Sequence, residues 1–251
     1  MRLALETYHG KKEEPKEEKP VVDRTKEVEL LKKALTNALQ LSISNVEQLQ
    51  GVTQIFVDVS GSMKSPLSGG KSFGSVRQCF EMSIILGLMV MSRCKSCEYY
   101  IFSSIATDKC YILMNERLTG NLETDIETVK AAAETLGGGT DFPVEVVIEA
   151  TANKKHVDNM IILSDMMISQ NFNNGEGYIE AIDKYREKVN PKLRVFSIDL
   201  RGYSKAQDIK KEFAEHNFIR IFGANASILK FISATESSQI DHIRKFHTTL
   251  P

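Results

Sequence analysis

No stretch of this 251-residue chain approaches the roughly 18–20 uninterrupted apolar residues that span a bilayer. The longest apolar tract, Met82 to Met91, is short and is broken by Ser83 and Gly87. After Met1-Arg2-Leu3-Ala4-Leu5 the chain turns polar, with no apolar region of signal-peptide length, so a cytoplasmic or nuclear address is expected. An excess of one charge is also missing. The 32 Lys and Arg stand against 33 Asp and Glu, which removes any global electrostatic case for nucleic acid or an anionic membrane. RNA contact would need a local patch. The basic residues Arg186, Lys188, Lys192, Arg194, Lys205, Lys210 and Lys211 read as solvated faces rather than a phosphate-facing patch. Cysteine is scarce: Cys79, Cys94, Cys97 and Cys110 read as reduced thiols, with Cys79 on a helical stripe as core. Cys94 and Cys97 form a lone C-x-x-C across a helix end and a strand start. Without a second pair or suitably spaced histidines it reads as structural, not as zinc or redox chemistry.

What is present is ordinary globular composition over a length that suits one large α/β domain or two small ones. Residues 1–22 read as a disordered charged segment. Its stretch from Gly10 to Pro20 mixes both charges with two prolines and has almost nothing to bury. Residues 23–51 read as an amphipathic helix, with Val28, Leu31, Leu35, Ala38 and Leu39 at helical spacing, followed by a connector from Ser42 to Gly51. Residues 52–235 alternate buried strands and helices. Strands are expected at Thr53–Asp58, Glu98–Phe102, Cys110–Met114, Met160–Leu163, Leu193–Asp199 and Phe218–Phe222. Helices are expected at Ser75–Arg93, Leu122–Leu136, Val144–Thr151, Tyr178–Lys188 and Lys205–Glu215, with a last one beginning at Ile228–Phe231. Residues 236–251 read as a C-terminal helical extension. The second and third strands lie close enough for a hairpin. The fold class is therefore α/β: a doubly wound, mainly parallel six-stranded sheet with helices on both faces.

In such a sheet ligands gather beyond the carboxyl ends of the strands, at the point where strand order reverses. The loops there hold the unusual residues. The first strand runs into Asp58-Val59-Ser60-Gly61-Ser62, whose alternate positions aim three oxygens into one crevice. A second loop reads Gly137-Gly138-Gly139-Thr140-Asp141, and Ser164-Asp165 follows the apolar Met160–Leu163. Asp58, Ser60, Ser62, Thr140 and Asp165 make an all-oxygen, hard set. That set suits magnesium, manganese or calcium and suits zinc or copper poorly. Taken singly, each loop could be a turn whose side chains satisfy its own backbone; all three in one α/β domain point to a metal site with a position left for a partner's carboxylate.

This D-x-S-x-S loop, the Gly-Gly-Thr-Asp loop and the strand-end acid resemble the metal-ion-dependent adhesion site of von Willebrand factor A domains, over Val52 to about Phe231. The resemblance implies Asp58, Ser60 and Ser62 as first-loop ligands, Thr140 as the second-loop ligand, and Asp165 as an acid acting through water. It also implies a binding module and not an enzyme. The approach Ala38-Leu39-Gln40-Leu41-Ser42-Ile43-Ser44-Asn45-Val46, with Asp58 to Met63 and Gly138 to Asp141, resembles the Ro autoantigen family more narrowly. In that family the domain sits beside a ring of helical repeats that binds small structured RNAs, a unit shared with telomerase- and vault-associated proteins. There is no room for the ring before residue 23, so the ring's RNA binding is not carried over. The function implied is a protein-protein docking component of a ribonucleoprotein particle, with a partner offering an acidic residue to the metal and only peripheral RNA contact.

Two other classes compete. One is an adaptor subunit of an ATP-driven machine, as in metal chelatases, told apart by what copurifies. The other is a magnesium-dependent phosphatase with an Asp nucleophile. Against it, Ser60 stands where the second acid of a D-x-D motif would act as general acid. A serine nucleophile lacks a base, since His9, His156, His216, His242 and His247 all lie outside the strand-end loops. The stretch Ser68-Gly69-Gly70-Lys71-Ser72 places Ser65 where a phosphate loop needs glycine, and it reads as a mobile surface loop.

Overall fold

The computed structural model describes residues 47–65, 78–105, 109–166, 168, 177–201, 218–223 and 227–234, with single positions between 26 and 44. Six strands carry the fold: β1 (Leu49–Asp58), β2 (Cys94–Phe102), β3 (Tyr111–Leu113), β4 (Asn159–Ser164), β5 (Arg194–Asp199) and β6 (Phe218–Phe222). They form one sheet in the order β3-β2-β1-β4-β5-β6. Every pairing is parallel except β2 with β3, the expected hairpin. The helices are α1 (Cys79–Arg93), α2 (Leu122–Ala133), α3 (Val144–Ala152), α4 (Tyr178–Lys188) and α5 (Ser227–Ala234).

A parallel sheet covered on both sides needs apolar residues at successive positions, since neighbouring side chains point to opposite faces. β1 shows this directly. Ile55 and Val57 join Tyr99, Ile101, Ile161, Leu163, Phe196 and Ile198 in a core closed by α1, α2 and α5. Phe56 joins Tyr100, Phe102, Met160, Ile162 and Val195 on the other face, against α3 and α4. The helices start where local chemistry permits. The Asn121 side chain accepts the Thr124 N–H to cap α2, and Glu180 reaches back to the Gly177 N–H at the start of α4.

Some boundaries differ from the sequence expectation. β1 begins at Leu49, inside the stretch expected to be a connector, and β2 begins at Cys94 rather than Glu98. Leu49 pairs with Cys94, and the register shifts before Val52 pairs with Ser96. Strand pairing there runs through backbone groups, so Gln50, Lys95 and Ser96 extend strands without lending them an apolar pattern. α2 stops at Ala133 instead of Leu136 because the chain turns into the glycine loop. Described positions from Lys26 to Ser44 are helical and exposed, including Ala38, which the spacing had placed on the apolar stripe. The expected segments 1–22, 205–215 and 236–251, and the Ser68–Ser72 stretch, lie outside the described residues. No helix among the described residues is long and apolar enough to cross a membrane.

Candidate metal centre

The order in which strands are added reverses at β1. After it the chain steps outward to β2 and β3, then returns to β4 on the other side. The crevice between the carboxyl ends of β1 and β4 is thus the reversal point where ligands collect. Asp58 closes β1 and Ser164 closes β4, one register step beyond the Val57–Leu163 pair. Sequence order hides this adjacency, yet it brings the Ser164 hydroxyl to donate to Asp58 Oδ2 at 2.6 Å. The Ser60 backbone N–H donates to Asp58 Oδ1 at 2.9 Å, folding the loop back on the carboxylate.

Asp58 is fully buried, and so is Ser60. Burial pushes the Asp58 carboxyl up to about 6, helped by the nearby Asp165 charge and opposed by the Ser164 and Ser60 hydrogen bonds. Among the described residues no Lys or Arg side chain pairs with Asp58. An interior carboxylate held this way favours either a proton or a cation.

The remaining donors fit a cation. Ser60 Oγ and Ser62 Oγ lie 3.1 Å apart, sharing a hydrogen bond. Neighbouring ligands of an octahedral ion at about 2.0–2.1 Å sit about 3 Å apart, so the two hydroxyls already stand at ligand spacing. Beyond Ser60 the chain makes a 3-10 turn, Gly61–Lys64, anchored by the buried Met63. No group of three or more His, Cys, Asp or Glu among the described residues is placed to hold a metal. The donors brought together here are a carboxylate and hydroxyls, an all-oxygen set of the kind that suits a hard ion.

The glycine loop docks on the first loop through its backbone, as the Gly61 N–H donates to the Gly138 carbonyl at 2.9 Å. A Cβ on Gly61 would stand 3.0 Å from that same oxygen. Ser103 and Ser104, just after β2, hold the loop from below. The Ser104 hydroxyl accepts the Gly139 N–H at 2.8 Å, and the Ser103 hydroxyl reaches the Gly139 carbonyl at 2.8 Å. A Cβ on Gly137 would overlap Ser104 Oγ, so this approach demands glycine. Thr140, half-exposed, follows two residues after Gly138, and the loop is pinned at its far end by the buried Phe142. Thr140 is half-exposed, whereas Asp58 is fully buried.

Asp165 follows Ser164 and is 2 % exposed. Its Oδ2 lies 3.4 Å from Nη1 of Arg201, a residue that sequence reading missed. Met166 follows with φ 60, and its N–H donates to the Ser164 hydroxyl, so this turn is held in a conformation unusual for a side-chain-bearing residue. Asp199, which ends β5 as Asp58 ends β1, was likewise overlooked. Its Oδ1 accepts the Arg201 N–H at 3.1 Å. The signal available in the sequence was a third strand-end acid.

The other candidates fall elsewhere. Cys79 is buried at the start of α1, and none of the four cysteines is joined in a disulfide. Cys94 caps α1 and opens β2, while Cys97 lies within β2. Arg186 is no solvated face: it pairs with Asp183, donates to the Leu193 carbonyl and stacks on Phe218.

A family profile described as the Ro60 vWA domain matches residues 53–234. Among solved structures, the Ro (RSR) protein of Deinococcus radiodurans superposes with a TM-score of 0.55 at 16% sequence identity, over 80% of this chain. This chain spans 37% of that protein's length. A D319A mutant of the PilB minor pilin from Streptococcus sanguinis gives a TM-score of 0.41 at 14% identity, covering 82% of this chain and 65% of the pilin. No curated protein matches the sequence. The profile covers most of the chain, runs through all three loops and fits the observed sheet: the chain belongs to the Ro60 vWA domain family.

Proposed function

We propose that this chain is a non-enzymatic docking module of a ribonucleoprotein particle that grips a protein partner through one divalent cation, magnesium in the first instance. Asp58, Ser60, Ser62 and Thr140 would hold the ion, with Asp165 acting through water. Manganese or calcium would suit the same oxygens. When bound, the ion supplies a Lewis-acidic position for an acidic side chain of the partner. The chain's own residues do the rest. Ser164 and the Ser60 N–H orient the Asp58 carboxylate, and the Gly61–Gly138 contact seats the second loop beside the first.

The observation that carries this reading is Asp58 itself: a fully buried carboxylate bonded to the Ser60 N–H and the Ser164 hydroxyl, on a loop whose Ser60 and Ser62 hydroxyls stand at ligand spacing from each other, with no pairing Lys or Arg among the described residues. The particle setting rests on family membership. The docking role rests on the room that the site leaves beside its two loops. A groove of about 510 Å³ opens beside Gly61 and Gly138, giving a partner segment room against both loops.

Pull-down from the native cell, with and without a chelator and with Asp58→Ala alongside, tests the role. Capture of a protein carrying RNA, lost with chelator and with the folded variant, is expected. Full-strength capture under either condition overturns metal-mediated docking, and an ATPase as the metal-dependent partner overturns the particle setting.

A further inference from the structure

We propose that Arg201 is a resident counter-cation of this site, sharing Asp165 with the bound ion and thereby setting how weakly that ion is held. The inference rests on the divalent-cation reading above. Arg201 comes from the loop after β5, one strand beyond the crevice, and the backbone fixes its place. The Leu200 N–H donates to the Ser164 carbonyl at 3.0 Å, tying the end of β5 to the end of β4. The Arg201 N–H donates to Asp199 Oδ1, and its guanidinium reaches Asp165 Oδ2 at 3.4 Å. Both side chains are withdrawn from water, 11% exposed for Arg201 and 0% for Asp165. Asp199 and Asp165 thus both bond to Arg201, one at its backbone and one at its side chain.

Little solvent screens this cluster, so a fixed guanidinium acts on any dication that draws on Asp165. It competes for the carboxylate and repels the ion. Three buried carboxylates, Asp58, Asp165 and Asp199, would bind a lone dication tightly and leave the crevice net negative. Arg201 offsets one of those negative charges. Ion binding is weakened, and an incoming carboxylate meets less like charge.

Manganese binding to the purified full chain, followed by the electron paramagnetic resonance signal of free Mn2+, reads this directly. Arg201→Gln is expected to bind Mn2+ about tenfold more tightly than wild type. Arg201→Lys, which keeps the charge, should stay near wild type. Circular dichroism in EDTA confirms that each variant is folded, and Arg201→Met, with a stem of similar bulk, replaces the Gln variant if that one is not. Equal or weaker binding by the neutral variant, with wild type still binding, overturns the role of Arg201 and leaves the cation site standing. Mn2+ binding by neither protein overturns the cation reading itself, and this inference with it.

Discussion

Replacing Asp58 by Asn should stabilise the protein in EDTA, an outcome opposite to the usual cost of altering a buried site. The magnitude follows from the carboxyl's surroundings. Burial carries Asp58 from 3.8 to about 6. Two units correspond to about 3 kcal/mol of differential cost for the charged form at neutral pH and above. Asn has one acceptor oxygen for the two donors, Ser60 N–H and Ser164 Oγ, so about 1 kcal/mol is lost with the second hydrogen bond. The net gain is about 2 kcal/mol at pH 8, or roughly 4–8 °C in a domain of this size. The sign depends on pH. A carboxyl whose folded pKa is raised favours folding while protonated. Its contribution is therefore full below pH 3.8 and is lost as pH rises through about 6. Asp58→Asn should gain on wild type over that window and lose its advantage below it. Urea melts from pH 4 to 8, with and without magnesium, measure both effects. Magnesium should raise wild-type stability and leave the variant unmoved. If the variant in EDTA is no more stable than wild type at pH 8, the protein already satisfies the carboxylate and needs no cation.

Ser164→Ala removes a 2.6 Å hydrogen bond to Asp58 and the acceptor of the Met166 N–H, at an expected cost of about 1–3 kcal/mol. It should also move the pH at which metal-free stability falls upward, because that hydrogen bond holds the Asp58 carboxyl down; the same melts show it. Phe142→Ala empties a ring cluster in which Phe142 meets Phe56 at 4.9 Å, Tyr178 at 5.1 Å and Phe102 at 5.6 Å. A loss of about 3–5 kcal/mol is expected in chemical denaturation. Since Phe142 anchors the loop that carries Thr140, a weaker magnesium response should accompany it.

The sheet was legible because a parallel strand buried on both faces reads as a short apolar run, as in Ile55-Phe56-Val57 and Met160-Ile161-Ile162-Leu163. The strand starts at Leu49 and Cys94 were not, because backbone pairing there asks nothing apolar of Gln50 or Lys95. Asp58, Ser60 and Ser62 stood out by local spacing, and Asp165 by following an apolar strand. Ser164 was visible only as a neighbour of Asp165. Its bond to Asp58 exists because β4 returns beside β1, a fact of strand order that no local window contains. Arg201 was more distant still. It reaches the site across the end of β5, and nothing in Leu200-Arg201-Gly202 distinguishes it from any surface arginine. The loop supports Ser103 and Ser104 were hidden for the same reason: their partners are the glycine-loop backbone more than thirty residues on.

Titration of magnesium into chelator-stripped protein by isothermal calorimetry, for wild type and Asp58→Ala, tests the central claim most directly. A single bound ion per wild-type chain, and none on the folded variant, is the expected result. Binding that survives the substitution would place the ion elsewhere, and a wild-type chain that takes up no ion would contradict the metal centre altogether.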